Sequence, residues 1–251
     1  MIVIDVGNTN IVFGIYNNQK LTKIFRLNTE KDITKKNKLL NNFLKSKKKF
    51  FDKSDTKLCI LSSVVPSLNS TIKNYFLKNK FKFHIITAKN IPFNIKINYN
   101  LNQIGSDRLA NFIYVFNKKI KNCIIIDFGT ATTFDVIKNN EYFGGLIFPG
   151  INLSMSSLIK NAELLKASKI SKSKKIVNRN TSASIQSGFY FGYLHAINGI
   201  IKQIIKENNF KPKIFITGGL SSIFRDKILF RPIYKENLTL EGIREIGKKY
   251  L

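Results

Sequence analysis

Cysteine and histidine are scarce in this chain, which has only two of each among its 251 residues. Cys59 and Cys123 both lie in apolar, strand-like runs, where a cysteine typically serves as a small buried hydrophobic residue. A structural zinc site takes about four Cys or His ligands, which His84 and His195 do not complete. The sequence therefore predicts two buried thiols and argues against a disulfide or a zinc centre.

Long apolar runs are also missing. Stretches such as residues 123–126 are far shorter than the roughly 20 residues of a membrane-spanning helix. The first five residues carry no basic segment of the kind that opens a secretory signal peptide. Proline numbers only 5 and hydrophobic residues make up 43%, which excludes the disordered and collagen-like classes. We expect a folded, cytoplasmic protein with one large domain or two modest ones.

Acidic side chains are few, with 15 Asp and Glu against 42 Lys and Arg, for a net charge of +27. Such an excess favours the binding of polyanions, nucleic acids among them. However, 36 of the basic residues are lysines spread along the chain, and arginine, which reads bases and phosphates in bidentate fashion, is scarce. We interpret lysine runs such as residues 45–49 and 172–175 as solvated faces or loops, and expect the charge to attract anionic ligands.

One pattern occurs twice, 122 residues apart, in residues 2–15 and 124–137. Each copy has a β-branched apolar run, a polar turn with a glycine and a second apolar run, which is typical of a β-hairpin. Asp5 of the first copy matches Asp127 of the second, and a glycine follows each of them two residues later. The chain therefore contains an internal repeat.

The rest of each half also follows a common plan. A buried run ends in a small polar turn at residues 58–63 and again at residues 214–219. Helical periodicity predicts helices over residues 68–78, 107–117 and 184–207. We therefore predict an α/β protein with two tandem domains, residues 1–118 and 119–251, each a mixed sheet flanked by helices, and a cleft at their joint.

The repeated polar turn is a candidate phosphate site. A glycine after a buried strand lets the backbone approach a phosphate, and an aspartate at the strand end can hold magnesium through water. A single copy is more simply the turn of an ordinary hairpin. The second copy, at residues 127–133, favours two loops that bind one nucleotide, with Gly218 and Gly219 as a third close approach to its adenine or ribose.

Residues 105–108 precede the predicted helix 107–117 and carry a carboxylate and a guanidinium. They can present both groups to a ligand, or Ser106 or Asp107 can simply cap the helix. The local sequence leaves both interpretations open. Residues 181–184 are interpreted as the cap of the last long helix, and Asp135 and His195 as structural.

Six motifs stand in one order along nearly the whole chain. They are Asp5-Val-Gly-Asn-Thr-Asn10, Ser62-Ser-Val-Val-Pro66, Gly105-Ser-Asp-Arg108, Asp127-Phe-Gly-Thr-Ala-Thr-Thr133, Gly144-Gly-Leu-Ile-Phe-Pro-Gly150 and Thr217-Gly-Gly219. Together they resemble the type III pantothenate kinases. The resemblance implies the superfamily of acetate and sugar kinases, Hsp70 and actin: two ribonuclease-H-like (actin-like ATPase) domains with the ATP cleft between them, in a homodimer.

The resemblance also implies roles for individual residues. The ATP-binding residues are Asp5, Val6, Gly7, Asn8, Thr9, Asn10, Ile11, Val12 and Thr130. The pantothenate-binding residues are Tyr99, Gly105, Ser106, Asp107, Arg108 and Thr181. Asp107 is implied as the catalytic base and Asp127 as the ligand of a monovalent cation, potassium or ammonium. Magnesium is expected with ATP, held near Asp5 through water.

Two departures from the family pattern stand near the acceptor motif. Ser106 occupies a position that is usually alanine in the family. Tyr99 lies one residue nearer to the motif than is usual, and Leu101 stands where proline is common. The second departure puts the role of Tyr99 as a substrate contact in question.

The implied activity is ATP-dependent phosphorylation of pantothenate to 4′-phosphopantothenate, the first committed step toward coenzyme A. One alternative keeps the fold and changes the acceptor, as in a sugar kinase or an exopolyphosphatase. Another is a non-catalytic regulatory or nucleic-acid-binding relative, which the charge favours but which no helix-turn-helix or zinc-finger signature supports. We expect no specific nucleic acid and no membrane as a partner.

Overall fold

A computed structural model describes residues 1–30, 32–162 and 170–251 of the chain. These residues divide into two compact units. Unit 1 comprises Met1–Ile95, Tyr99–Lys119 and Leu238–Leu251, and unit 2 comprises Lys96–Asn98 and Ile120–Asn237.

Strands and helices are numbered in chain order. The strands are β1 (Ile2–Val6), β2 (Asn10–Asn17), β3 (Lys20–Asn28), β4 (Leu58–Ser63), β5 (Lys82–Ile85), β6 (Cys123–Phe128), β7 (Ala131–Lys138), β8 (Glu141–Pro149), β9 (Lys213–Thr217) and β10 (Ile233–Tyr234). The helices are α1 (Ile33–Asp52), α2 (Asn69–Lys78), α3 (Ser106–Asn117), α4 (Ile151–Lys160), α5 (Thr181–Asn208), α6 (Ser221–Phe224) and α7 (Leu238–Gly247). Short 3₁₀ turns lie at Pro66–Leu68 and Lys248–Tyr250.

The sheet of unit 1 has the strand order β3-β2-β1-β4-β5. Strand β1 is antiparallel to β2 and parallel to β4. Both β1 and β4 are apolar and buried along nearly their whole length, as expected for strands that are covered on both faces. Their side chains share one core with α1 and α2, which includes Ile2, Ile4, Phe13, Leu40, Leu44, Phe51, Leu61, Ile72 and Phe76.

The sheet of unit 2 repeats this topology, since its order is β10-β9-β6-β7-β8. Strand β6 is antiparallel to β7 and parallel to β9, as β1 is to β2 and β4. Helix α5 packs against this sheet through residues such as Tyr190, Tyr193, Ile197 and Ile201. The predicted α/β class is therefore confirmed: two mixed sheets, each flanked by helices, with the sequence repeat visible as a repeat of topology.

The three predicted helices are present with slightly different bounds. Helix α3 begins one residue earlier than predicted, and α5 spans Thr181–Asn208 where the pattern indicated residues 184–207. A 3₁₀ turn at Pro66–Leu68 precedes α2.

Helix α1 is not predicted by the sequence pattern, because its many lysines obscure the helical period of its apolar residues. Asp32 caps this helix by accepting a hydrogen bond of 2.8 Å from the backbone N–H of Lys35. The lysine run at residues 45–49 lies on it, with Lys45 exposed as predicted for a solvated face. Lys47 instead covers aromatic surface, since its ammonium lies 5.2 Å from the ring centroid of Phe25.

Helix α7 corrects the predicted domain boundary. The division into residues 1–118 and 119–251 placed residues 238–251 in the second domain, whereas they belong to unit 1. Helix α7 buries Leu240, Ile243 and Ile246 and packs on α3, β1 and β4. At Gly242 the helices touch so closely that a Cβ atom would overlap the carbonyl oxygen of Ala110. Spatial packing, which local sequence does not reveal, thus returns the chain end to the first unit.

Both cysteines are buried, as predicted, and neither forms a disulfide. Burial raises the pKa of each thiol above its usual range. Within the part of the chain that the structure describes, none of the helices combines the length and the hydropathy needed to cross a bilayer.

Candidate functional site

The first hairpin loop lies at the carboxyl end of β1 in unit 1. The N–H of Gly7 donates to the carbonyl oxygen of Asn10 at 2.9 Å, which closes the turn. Thr29, just after β3, holds the loop through two hydrogen bonds of 2.8 Å. Its hydroxyl donates to the carbonyl oxygen of Gly7, and its N–H donates to that of Thr9. Asn8 and Thr9 are exposed, so the loop offers an amide, a hydroxyl and backbone groups to a ligand.

The other predicted ATP-binding residues of this hairpin differ in what they can offer. Val6 and Ile11 are buried in the core, and Val12 is half-buried. Val6 and Ile11 can contact a ligand only through their backbone, whereas Asn10 and Asp5 are half-buried polar groups at the strand ends.

Asp5 has a hydroxyl neighbour on the adjacent parallel strand. Asp5 and Ser62 are Cα partners in the β1–β4 pairing. The hydroxyl of Ser62 donates to Oδ1 of Asp5 at 3.1 Å, and the Oγ atoms of Ser62 and Ser106 lie 3.0 Å apart. The N–H of Ser63 donates to Oγ of Ser106 at 2.8 Å. The start of α3 is thus bonded to the end of β4 beside Asp5.

The predicted acceptor motif begins α3. Gly105 occupies the N-cap position, so neither Ser106 nor Asp107 is the N-cap residue itself, although Asp107 does accept from a free N–H of the first turn. Asp107 lies in the first turn, where its Oδ1 accepts from the N–H of Arg108 at 2.8 Å. A Cβ atom at Gly105 would overlap this carboxylate oxygen, so a larger residue here would displace the Asp107 side chain.

Burial raises the pKa of the Asp107 carboxyl, against the opposing effects of the hydrogen bond and the positive charge from Arg108. Arg108 is itself 5% exposed, and its guanidinium carbon lies 5.5 Å from the ring centroid of Tyr99. The structure therefore brings Tyr99 to Arg108 although its spacing in the sequence departs from the family pattern. A carboxyl whose pKa is raised by burial is a candidate proton acceptor.

The second hairpin loop lies at the carboxyl end of β6 in unit 2. The N–H of Gly129 donates to the carbonyl oxygen of Ala131 at 3.1 Å, and Thr130 is exposed at the tip. Two glycines from other segments pack closely against this loop. A Cβ atom at Gly150 would overlap the carbonyl oxygen of Thr130, and one at Gly218 would lie 2.5 Å from Oδ1 of Asp127.

Gly218 also has a structural role of its own in unit 2. The sequence predicts that Gly218 and Gly219 allow a nucleotide to approach the backbone closely. In the structure Gly218 has a φ of +89° and packs on Asp127 and Phe128, whereas a Cβ at Gly219 would have no heavy atom within 4 Å. Positive φ and the close contact both require glycine at position 218.

Three further residues named from the sequence also lie in unit 2. Thr181 is the exposed first residue of α5, and the helix is capped instead by Asn180, whose side chain accepts from the N–H of Ala183 at 2.9 Å. Asp135 is fully buried and accepts a 2.6 Å hydrogen bond from the hydroxyl of Tyr142, which fits a structural role. His195 is exposed on α5.

The donors present fit the cations that the family resemblance implies. Magnesium bound to ATP usually needs only one or two carboxylates, with phosphates and water as the other ligands, and Asp5 supplies one carboxylate. Asp127 lies in the space that glycine leaves free at position 218.

The chain matches the family model of type III pantothenate kinase over residues 1–203. A protein of Geobacter sp. strain M21 named type III pantothenate kinase is 37% identical over 254 residues, covering 99% of both chains. Two solved structures share the fold. A Campylobacter jejuni protein assigned to the Baf family of transcriptional activators is 22% identical, with a TM-score of 0.60 over 100% of this chain and 98% of that one.

The second structure is MreB 5 of Spiroplasma citri bound to AMPPNP, which is 14% identical, with a TM-score of 0.50 over 99% of this chain and 96% of that one. At such identities these structures show the fold alone. The family model and the Geobacter protein, in contrast, cover most or nearly all of the chain. With its six motifs in order on two repeated α/β units, this chain belongs to the type III pantothenate kinase family.

Proposed function

We propose that this chain transfers the γ-phosphoryl group of ATP to the terminal hydroxyl of pantothenate, giving 4′-phosphopantothenate and ADP. The observation that carries the proposal is Asp107, a carboxyl with a raised pKa in the first turn of α3, directly before the buried Arg108. Membership of the family supports the two substrates and the place of the reaction in coenzyme A biosynthesis.

On the acceptor side, Asp107 accepts the proton of the pantothenate hydroxyl as that oxygen forms its bond to the γ-phosphorus. The bond between the γ-phosphorus and the bridging oxygen of ADP breaks in the same step. A raised pKa suits this role, because a carboxylate that binds a proton more readily is a better base near neutral pH. Gly105, Ser106, Arg108, Tyr99 and Thr181 are the candidates for holding the substrate.

On the nucleotide side, the loop Gly7–Asn10 offers the backbone and side-chain donors described above to the phosphates, with Thr130 as a further contact. Transfer through a loose transition state depends mainly on positioning and on neutralising charge. Magnesium, when bound with ATP, supplies part of that neutralisation, and Asp5 would hold it through water. Asp127 would hold the potassium or ammonium ion.

The test is ATP-dependent phosphorylation of pantothenate by the purified chain with magnesium, in potassium buffer and in sodium buffer. We expect 4′-phosphopantothenate in potassium and a collapse of activity in sodium alone. The variant Asp127→Asn should abolish the difference between the two buffers. Equal rates in both buffers would remove the cation role of Asp127, and no product in any buffer would refute pantothenate as the acceptor and call for a screen of other hydroxyl acceptors.

We also propose that the protein is a homodimer. Apolar side chains are left exposed on β8 and α4, where Phe143 is 45%, Ile147 62%, Leu153 52% and Leu158 44% exposed. Exposed apolar residues on neighbouring elements are typical of an interaction surface. Light scattering on the purified chain should give twice the mass of one chain, and Ile147→Lys together with Leu153→Lys should give the mass of one. A monomeric wild-type protein at micromolar concentration would refute the dimer.

A further inference from the structure

We propose that Ser62 and Ser106 form a directed hydrogen-bond relay that orients the Asp5 carboxylate from the first turn of α3. The two serines are positioning residues for the bound magnesium nucleotide. This inference rests on the proposed function, since it assigns them to the reaction through Asp5.

The relay follows from the register of the sheet. Asp5 and Ser62 are side-by-side partners at the carboxyl ends of two parallel strands, so their side chains emerge on the same face. Ser63 lies beyond the last β4–β5 pair, Leu61 with Ile85. Its N–H donates to Oγ of Ser106. Ser106 therefore satisfies a donor at the end of β4 that would otherwise lack a strand partner.

The direction of the protons follows from counting them. A serine hydroxyl has one proton to donate and can accept from others. The proton of Ser62 goes to Oδ1 of Asp5 at 3.1 Å. The 3.0 Å contact between the two serines must then use the proton of Ser106, which accepts in turn from the N–H of Ser63. Every bond points the same way, from the backbone of β4 to the carboxylate.

Burial gives this chain of bonds its strength. Ser62 is 0% exposed and Ser106 is 6% exposed, so water cannot readily replace a lost bond. Hydrogen bonds in such surroundings polarise one another, and a bond that ends on a carboxylate is stronger than one between neutral groups. Removing the Ser106 hydroxyl would therefore weaken the hold on Asp5 without any contact between the two residues.

The relay also joins the two chemical sides of unit 1. Ser106 directly precedes Asp107. Only one residue, Val6, separates Asp5 from the nucleotide loop Gly7–Asn10. A displacement of the first turn of α3 thus reaches Asp5 through two buried hydroxyls. We infer that the geometry around the magnesium nucleotide is set in part by the helix that carries the proposed base.

The experiment compares Ser62→Ala, Ser106→Ala and the double variant with the wild type. Alanine suits the first turn of a helix, so Ser106→Ala preserves α3. Ser67→Ala is the control, because Ser67 is exposed in the 3₁₀ turn that follows β4. Binding of Mg·ATP without pantothenate is measured by calorimetry, together with the magnesium concentration that gives half-maximal binding at fixed ATP.

We expect each single variant to weaken Mg·ATP binding by about 3- to 10-fold, the effect of one buried hydrogen bond. Both should raise the magnesium requirement, and the double variant should be no worse than about the larger single effect, because one relay is broken in all three. In turnover, KM for ATP should rise more than KM for pantothenate. Ser67→Ala should leave binding unchanged.

Three outcomes would overturn the relay. Ser106→Ala with wild-type Mg·ATP binding and magnesium requirement would show that α3 does not act on Asp5, and additive losses in the double variant would show two independent bonds. A wild-type chain that does not bind Mg·ATP would also refute it. Binding results as expected without any product from pantothenate would instead leave the relay standing and refute the proposed acceptor.

Discussion

The two hairpin loops have the same strand context and different neighbours. In each unit an aspartate lies one residue before the end of the central strand. It is paired with a hydroxyl residue on the adjacent parallel strand, Asp5 with Ser62 and Asp127 with Thr217. Ser62 donates to its aspartate at 3.1 Å. Thr217 donates instead to the carbonyl oxygen of Glu236 at 3.3 Å.

The turns differ as well. In unit 1 the N–H of Gly7 reaches the carbonyl oxygen three residues on, whereas in unit 2 that of Gly129 reaches the one two residues on. The backbone of Gly218 packs against the Asp127 side chain. The duplicated backbone thus keeps its strand register, while its two aspartates acquire different surroundings.

The largest expected effect is on kcat and comes from replacing the proposed base in unit 1. Asp107→Asn in unit 1 removes the proposed base, and general-base catalysis is worth about 10²–10⁴-fold, so kcat should fall by that factor with little change in Mg·ATP affinity. The exposed Asp226 in unit 2 provides the matched control, and Asp226→Asn should keep the wild-type kcat. Weakened ATP binding with a normal kcat in Asp107→Asn would assign this residue to the nucleotide instead.

The next effect tests the contact of Asp127 with Gly218. Gly218→Ala places a Cβ atom 2.5 Å from the carboxylate at a φ of +89°, which should cost about 1–3 kcal/mol of unfolding free energy and reduce stimulation by potassium. Gly219→Ala is the control, because a Cβ there has no heavy atom within 4 Å. Urea unfolding and rates in potassium and sodium measure both effects. Equal stability of the two variants would contradict the assigned contact.

A smaller effect concerns pH. Since burial raises the pKa of Asp107, the folded chain holds a proton here more tightly than the unfolded chain does. Stability is therefore lost as pH rises from the ordinary aspartate value through the raised pKa, where the carboxyl must ionise in the fold. Asp107→Asn should remove this loss and be more stable than wild type near neutral pH, with a convergence at acid pH. Thermal unfolding from acid to neutral pH measures it, and a variant less stable than wild type at neutral pH would refute the direction.

The smallest effect comes from Thr217→Val in unit 2. The variant loses the long hydrogen bond to Glu236 and keeps the shape of the side chain, so we expect a loss of about 1 kcal/mol or less. Potassium dependence should be unchanged, because the hydroxyl does not point to Asp127. A fall in potassium stimulation in Thr217→Val, as expected for Gly218→Ala, would show that the Thr217 hydroxyl acts on Asp127 as the Ser62 hydroxyl acts on Asp5.

Much of the architecture was predictable from local patterns. Alternating and continuous apolar runs indicated both hairpins and the parallel strands that follow them, and a 3.6-residue period indicated α2, α3 and α5. Helix α1 was missed because its many lysines give it a polar sequence pattern, although Leu40 and Leu44 are buried. Helix α7 was assigned to the wrong domain, since its partner Ala110 lies more than a hundred residues away.

The candidate site was predicted as a set of residues and not as a set of contacts. The motifs named Asp5, Asp107, Arg108 and Asp127, and the structure gives each of them its neighbours. The Ser62–Ser106 relay had no sequence signal, because hydrogen bonds between distant segments depend on which strand lies beside which. The roles of Gly105 and Gly218 as space for a carboxylate likewise became visible only with the side chains in place.

The sequence by itself determined the repeat, the α/β class and the family, because these depend on periodicity and on motifs that are local in the chain. It also determined where the charged and polar groups of the site stand along the strands and helices. Only the tertiary structure decided the burial that raises the pKa of Asp107, the return of α7 to unit 1 and the different surroundings of Asp5 and Asp127. These properties arise from desolvation and from contacts between segments far apart in the sequence, and no local pattern of residues encodes either one.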